Sequence, residues 1–359
     1  MPVLQIDLKP NAYAISNSKI VIDKSDFSLT GNLFNLRPYL KGDSILRGAF
    51  TFSSDCTDLS ALMAMTSADM GSEETENDKD EIPDSDNPFM VPLKTDISLK
   101  TNIKKALYEG VEFKNIQGAV NVIDGKLILE DLNVNLPACK VQLTAMYHSP
   151  RKNHIFLGFD YRMLNIEIKE LLSIIPDLDT MMPMLRSFGG RAEFHIAAET
   201  YLRSNYDLKK STLRGTAAIS GEDLVLMDGE TFTEIAKTLR FRKKTQNIVD
   251  SLSAEFTLFK EEIDVYPFSL LMDKYRVIVS GKHNLDMSFN YHISVVECPL
   301  PVKLGVDIKG TLDKIKPTLA KCKYAQFYRP ERQNRLLAEQ LNLKNQIREA
   351  LINSVKREE

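Results

Sequence analysis

Long runs of period-two alternation, turn dipeptides set between them and a scarcity of helical segments together predict a mainly β fold. The expected architecture is an elongated, curled antiparallel sheet, a β-groove assembled from repeated hairpins, with a few short helices and a C-terminal helix. Met287, Phe289, Tyr291, Ile293 and Val295 alternate with Ser288, Asn290, His292 and Ser294. Val141, Leu143 and Ala145 do the same, as do Ile155, Leu157, Phe159 and Tyr161, and later Leu304, Val306 and Ile308. A strand so patterned presents one apolar face. Asp124-Gly125, Leu136-Pro137, Ser149-Pro150 and Asp228-Gly229 supply turn chemistry between the runs, which suits hairpins better than helical crossovers.

Taken along the chain, residues 1–66 read as N-terminal strands of the groove. Residues 67–90 read as an acidic disordered loop. Between Ser67 and Asn87 nine acids face the single base Lys79, and such a stretch buries too little apolar surface to offset its ordering entropy. The DxDxDG spacing of a calcium loop is absent from it. Residues 91–328 form the main β-groove region. Within it, Thr231-Phe232-Thr233-Glu234 matches a capping box and predicts a short helix, and Lys169 to Phe188 reads as helical pieces broken at Pro176 and Pro183. Residues 329–359 carry Leu336, Leu343, Ile347 and Leu351 along one side, which predicts a C-terminal amphipathic helix.

The chain repeats itself at a spacing of 136 residues. Ile116, Val120, Val122, Leu127, Leu129, Leu132, Val134 and Leu136 fall on Leu252, Phe256, Leu258, Ile263, Val265, Phe268, Leu270 and Met272. The register continues with Val141 on Val277, Leu143 on Val279, Ala145 on Gly281, Ile155 on Tyr291 and Leu157 on Ile293. Faces are repeated, not identities. Repeated hairpin units imply a sheet extended by addition.

Composition narrows the function. A chain of 359 residues, 43% apolar and 26% charged, is a folded protein, and a net charge of -3 gives no basic stripe for nucleic acid. Cys56, Cys139, Cys298 and Cys322 lie far apart, without the spacing of a zinc site or a redox motif, and read as free thiols. His148, His154, His195, His283 and His292 show no ligand spacing and read as solvated or satisfied side chains; no P-loop, nucleophile elbow, dinucleotide fingerprint or HExxH occurs. The expectation is a protein that is not an enzyme and has no cofactor, no metal and no catalytic residues. The N-terminus lacks a signal peptide, and no run approaches the roughly 20 apolar residues of a spanning helix, so the chain reads as soluble, or as part of a longer protein with its anchor elsewhere.

A sheet with one apolar face covers it with a second sheet or with helices, or closes into a barrel, or leaves it open to an apolar ligand. Helices are too few here to cover every strand. An open groove acts as a lipid solvent outside a bilayer: an acyl chain of about 14 carbons loses on the order of 11 kcal/mol in water, at about 0.8 kcal/mol per methylene. The expected lipid-groove lining is Val141, Leu143, Leu157, Phe159, Val277, Val279, Phe289, Tyr291 and Ile293.

The run SLSAEFTLFKEEIDVYPFSLLMDKYRVIVSGKHNLDMSFNYHISVV, Ser251 to Val296, resembles the signature of the AsmA-like C-terminal region. There a strand, a short turn, a paired strand, a strand ending in Ser-Gly and a final alternating strand follow one another. The runs KTNIKKALYEGVEFKNIQGAVNVIDGKLILEDLNVNL and LRGTAAISGEDLVLMDGETFTEIAKTLRF resemble the Bacteroidetes type of the AsmA family, and the likeness extends over roughly Ser18 to Lys316. The resemblance implies a periplasmic β-groove related to TamB, YhdP and the bridge-like lipid-transfer proteins. It implies a site at the periplasmic face of the inner membrane of a Gram-negative cell, held by an anchor absent from this chain. The implied partners are phospholipid acyl chains, the inner membrane and an envelope protein, and the implied role is lipid transfer in outer-membrane biogenesis. Two rival expectations are a periplasmic scaffold that holds outer-membrane proteins by strand addition at an open edge, and a β-sandwich hydrolase.

Overall fold

The computed structural model describes residues 3–9, 11–60, 88–174, 188–226, 247–272, 275–286, 288–298, 303–311 and 314–323. Eighteen strands belong to one sheet. They are β1 (Val3–Lys9), β2 (Ala12–Ile22), β3 (Ser25–Phe34), β4 (Leu46–Ser54), β5 (Thr57–Asp58), β6 (Thr95–Tyr108), β7 (Val111–Ile123), β8 (Lys126–Asn135) and β9 (Lys140–Arg151). They continue as β10 (His154–Glu167), β11 (Phe188–Leu202), β12 (Arg214–Leu226), β13 (Asn247–Phe259), β14 (Glu262–Met272), β15 (Tyr275–Asn284), β16 (Phe289–Glu297), β17 (Leu304–Thr311) and β18 (Lys314–Ala320). Among the described residues two short α-helices, α1 (Leu36–Leu40) and α2 (Ile168–Ile174), and a 3-10 turn at Lys210–Thr212 interrupt them. The fold is mainly β, as the alternation predicts, and the sheet stays open: β1 pairs only with β2, and β18 only with β17, among the described residues.

Sequence neighbours pair antiparallel almost throughout, because two-residue hairpins allow nothing else. Asp124 and Gly125 hold positive φ of 42° and 75°, the geometry whose twist matches flanking strands. The exceptions are β4 and β5, which lie parallel to β6. A parallel pair needs a long crossover, and that connection contains the acidic run; residues 61–87 lie outside the described residues. So do Asp228-Gly229, the capping box at Thr231, residues 175–187 and the C-terminal segment from residue 324.

One turn is placed differently from the expectation. Ser149 and Pro150 lie inside β9, and the chain reverses at Lys152-Asn153. Ser149 accepts a hydrogen bond from the Val91 amide and is held in place, while Pro150 sits next to the strand's end, where a missing N–H is tolerated. Ser280-Gly281 likewise lies within β15 and does not end it, since Gly281 pairs with both Val265 and Tyr291.

The 136-residue repeat is structural. β7 ends at Ile123 and β8 starts at Lys126; β13 ends at Phe259 and β14 starts at Glu262. Leu129 pairs with Ala145 and Leu132 with Leu143, across a bulge; Val265 pairs with Gly281 and Phe268 with Val279, across a bulge at the matching place. A slip of one residue would turn every side chain to the wrong face, so the shared bulge keeps both copies in phase.

The chain divides into two compact units, one of residues 3–159 with 200–209, the other of 160–199 with the described residues from 210 onward.

Candidate functional site: an apolar sheet face

In the first unit the ladders line up residues into rows. One row runs Ile6, Ile15, Gly31, Phe50, Leu99, Val120, Leu129, Ala145, each the register partner of the next across β1–β4 and β6–β9. The next row on the same face runs Leu8, Tyr13, Leu33, Gly48, Ile97, Val122, Leu127, Tyr147. Neither row contains a charged or amide side chain. Eight strands about 4.8 Å apart make such a row roughly 34 Å long. On the opposite face the intervening row is Asp7, Ala14, Asn32, Ala49, Ser98, Asn121, Ile128, Met146.

On the opposite face only Ile128 and Met146 of that row are buried. No side chain of the two apolar rows is buried; they are half-buried, and Ile6 and Leu8 are exposed. The side chains shield one another laterally. Two glycines matter here: a Cβ on Gly31 would come within 2.6 Å of the Phe50 ring, and one on Gly48 within 2.8 Å of it. The ring lies over the backbone the glycines leave bare, and beside it the Phe27 and Phe52 rings meet in a tilted pair, centroids 5.8 Å apart.

A strap crosses one end of this face. The Phe89 amide donates to the Tyr206 hydroxyl (2.7 Å), the Tyr147 hydroxyl donates to the Phe89 carbonyl (2.8 Å), and the Gly125 amide donates to the Pro92 carbonyl (3.1 Å). Burial, with Tyr206 close by, pushes the Tyr147 phenol up to about 12. Phe89 and Leu93 remain exposed on the strap.

The second unit carries its own row: Ile196, Ala217, Phe256, Val265, Gly281, Tyr291, Ile308, Pro317. Here Ala217, Val265 and Ile308 are buried. Of the nine lining residues expected from sequence, the ladders set Val279 beside Ile293, Gly281 beside Tyr291 and His283 beside Phe289, so the β15 and β16 residues share one face. The Phe289 and Tyr291 rings meet tilted, centroids 5.7 Å apart. Val277 is buried and packs against Val295, whereas Val141 and Leu143 lie half-buried beside Val134 and Leu132. Leu157 and Phe159, also half-buried, alternate along β10 with Phe156, whose ring meets Tyr201, and with Asp160. Phe50, Leu99, Val120 and Leu129 belong to the first unit's face as well. Each strand's alternation marks them, but which strands adjoin is not written in any one strand.

The polar face of the second unit gathers the ionisable groups. His195 bonds Asp160 at 3.1 Å, and His292 has its Nδ1 2.5 Å from Asp307 and its Nε2 2.9 Å from Ser294 Oγ. Ser294 Oγ also accepts the Lys323 amide at 3.0 Å, and both His292 and Ser294 are buried. This Asp–His–Ser chain has the connectivity of a nucleophile relay, but Ser294 Oγ is also held by the Lys323 amide and Ser294 is 0% exposed. It acts as a clasp that ties the chain after β18 to β16 and β17. The His292 hydrogen bond, with the Lys323 charge nearby, holds the Asp307 carboxyl below its ordinary range. Glu255, across β12 from His195 through Ala218, is buried without an ion pair among the described residues, and burial pushes it up to about 7.

Among the described residues no group of three or more His, Cys, Asp or Glu is placed to hold a metal, and no helix is long and apolar enough to cross a membrane. Comparison with family models, with curated proteins and with solved structures finds no match.

Proposed function

We propose that this protein is a non-enzymatic cell-envelope protein of AsmA type that holds or conducts phospholipid along an apolar sheet face in outer-membrane biogenesis. The observation that carries the reading is the pair of eight-residue apolar rows in the first unit, none of whose side chains is buried. Contiguous apolar surface of that extent marks a binding face more often than an idle one. Acyl chains laid on it recover about 0.8 kcal/mol per methylene withdrawn from water. Headgroups stay at the polar rim, where no apolar surface competes for them. The working location is the periplasmic face of the inner membrane.

The test is binding of a fluorescent phospholipid to the chain and to a variant carrying Leu99→Asp and Leu129→Asp. Both positions are half-buried on the apolar face. The expected result is loss of binding with the β circular-dichroism signal retained. Loss of the fold with the charges would make the face a packed core and overturn the proposal.

A further inference from the structure

The two edges of the sheet are built differently. β18 carries Lys316, exposed, and next to it Pro317, which has no N–H to offer. Lysine and proline on an outer strand are standard devices against pairing with another chain. β1, with the sequence VLQIDLK, has neither at its centre. Leu4, Ile6 and Leu8 are 61%, 48% and 72% exposed, and one side of the strand's backbone has no partner among the described residues.

From this asymmetry we infer that the chain forms a two-fold dimer by antiparallel pairing of β1 with β1 of a second copy. Symmetry selects the partner. Head-to-tail addition would set β1 against the guarded β18 edge and would generate an open filament, whereas β1 against β1 closes after one step. The sequence of β1 is self-complementary about Ile6. With Ile6 on the dyad, Leu4 meets Leu8 of the other copy, Gln5 meets Asp7 and Val3 meets Lys9, so no like charges oppose. Leu4, Ile6 and Leu8 alternate on one side of β1, and Ile6 and Leu8 belong to the two apolar rows. The pairing therefore continues the Ile6 row through the dyad into the Ile6 row of the second copy and sets Leu8 against its Leu4, whether or not the rows carry lipid.

The experiment uses the full chain. Sedimentation velocity should return twice the chain mass, and Ile6→Lys should return the chain mass with the β signal unchanged. Oxidised Ile6→Cys should give an interchain disulfide across the dyad, because directly opposed residues of an antiparallel pair lie within disulfide reach. Leu319→Cys, on the exposed β18 edge, and the unsubstituted chain with its own cysteines should not. A monomeric, folded chain at tens of micromolar, or cross-linking of Leu319→Cys as efficient as that of Ile6→Cys, would overturn the inference.

Discussion

The row from Ile6 to Ala145 and the row from Ile196 to Pro317 each cross eight strands and are each apolar throughout, yet they differ in burial. The first has no buried member; the second buries Ala217, Val265 and Ile308. The two repeat copies sharpen the contrast. Leu129 and Val141 of the first are half-buried, while their counterparts Val265 and Val277 are buried. On the opposite face the relation reverses. Ile128 and Met146 are buried partners, and the equivalent Asp264 and Lys282 form an exposed ion pair at 3.4 Å. Even there one bond persists: Asn121 to Glu130 at 3.1 Å is matched by Thr257 to Tyr266 at 3.3 Å. A single strand plan thus supports an open apolar face in one unit and a more closely packed one in the other.

The largest effect should come from charging the packed face. Val306→Asp, at a fully buried site, should cost about 4 kcal/mol in urea unfolding, because the carboxylate has no partner there. Leu129→Asp, on the half-buried row, should cost much less. Equal losses would erase the distinction between the units.

Next in size is the pH dependence of Glu255, which has Ala119 as its counterpart in the other copy. Its folded pKa of about 7 lies above the ordinary 4.5, so its neutral form favours folding at low pH. That contribution is complete below pH 4.5 and is lost as pH rises through 7, by up to about 3 kcal/mol. Glu255→Gln should flatten the pH profile of stability in that window; an unchanged profile would place the carboxyl in water.

Gly281→Ala should cost roughly 1–3 kcal/mol in thermal unfolding, since the new Cβ would meet the Asn290 carbonyl at 2.4 Å and the Tyr291 ring at 2.7 Å. Ala145, at the same place in the first copy, already carries a Cβ. The smallest effect belongs to Asp264→Ile with Lys282→Met, which restores the first copy's pair. Removing an exposed ion pair should change stability by less than about 1 kcal/mol.

Much of the fold was legible because period two is a local signal: Val141 to Ala145 and Tyr291 to Val295 are strands where the alternation puts them. The 136-residue repeat was legible for the same reason, down to the bulge. Ser149-Pro150 misled because turn-forming residues also fit near a strand's end. The extent of the apolar rows was not legible. It depends on which strand adjoins which, and the parallel entry of β6 beside β4 follows from no local pattern. The strap from Phe89 to Leu93 was hidden likewise, since Tyr147 and Tyr206 meet it only after folding.

Carriage of lipid on the apolar face is tested most directly by native mass spectrometry with lipid extraction, on the chain purified from a bacterial periplasm. Phospholipid should be bound in stoichiometric amount and should be lost when Leu99 and Leu129 are both changed to Asp. A folded chain that arrives free of lipid and takes none up from phospholipid vesicles would contradict it.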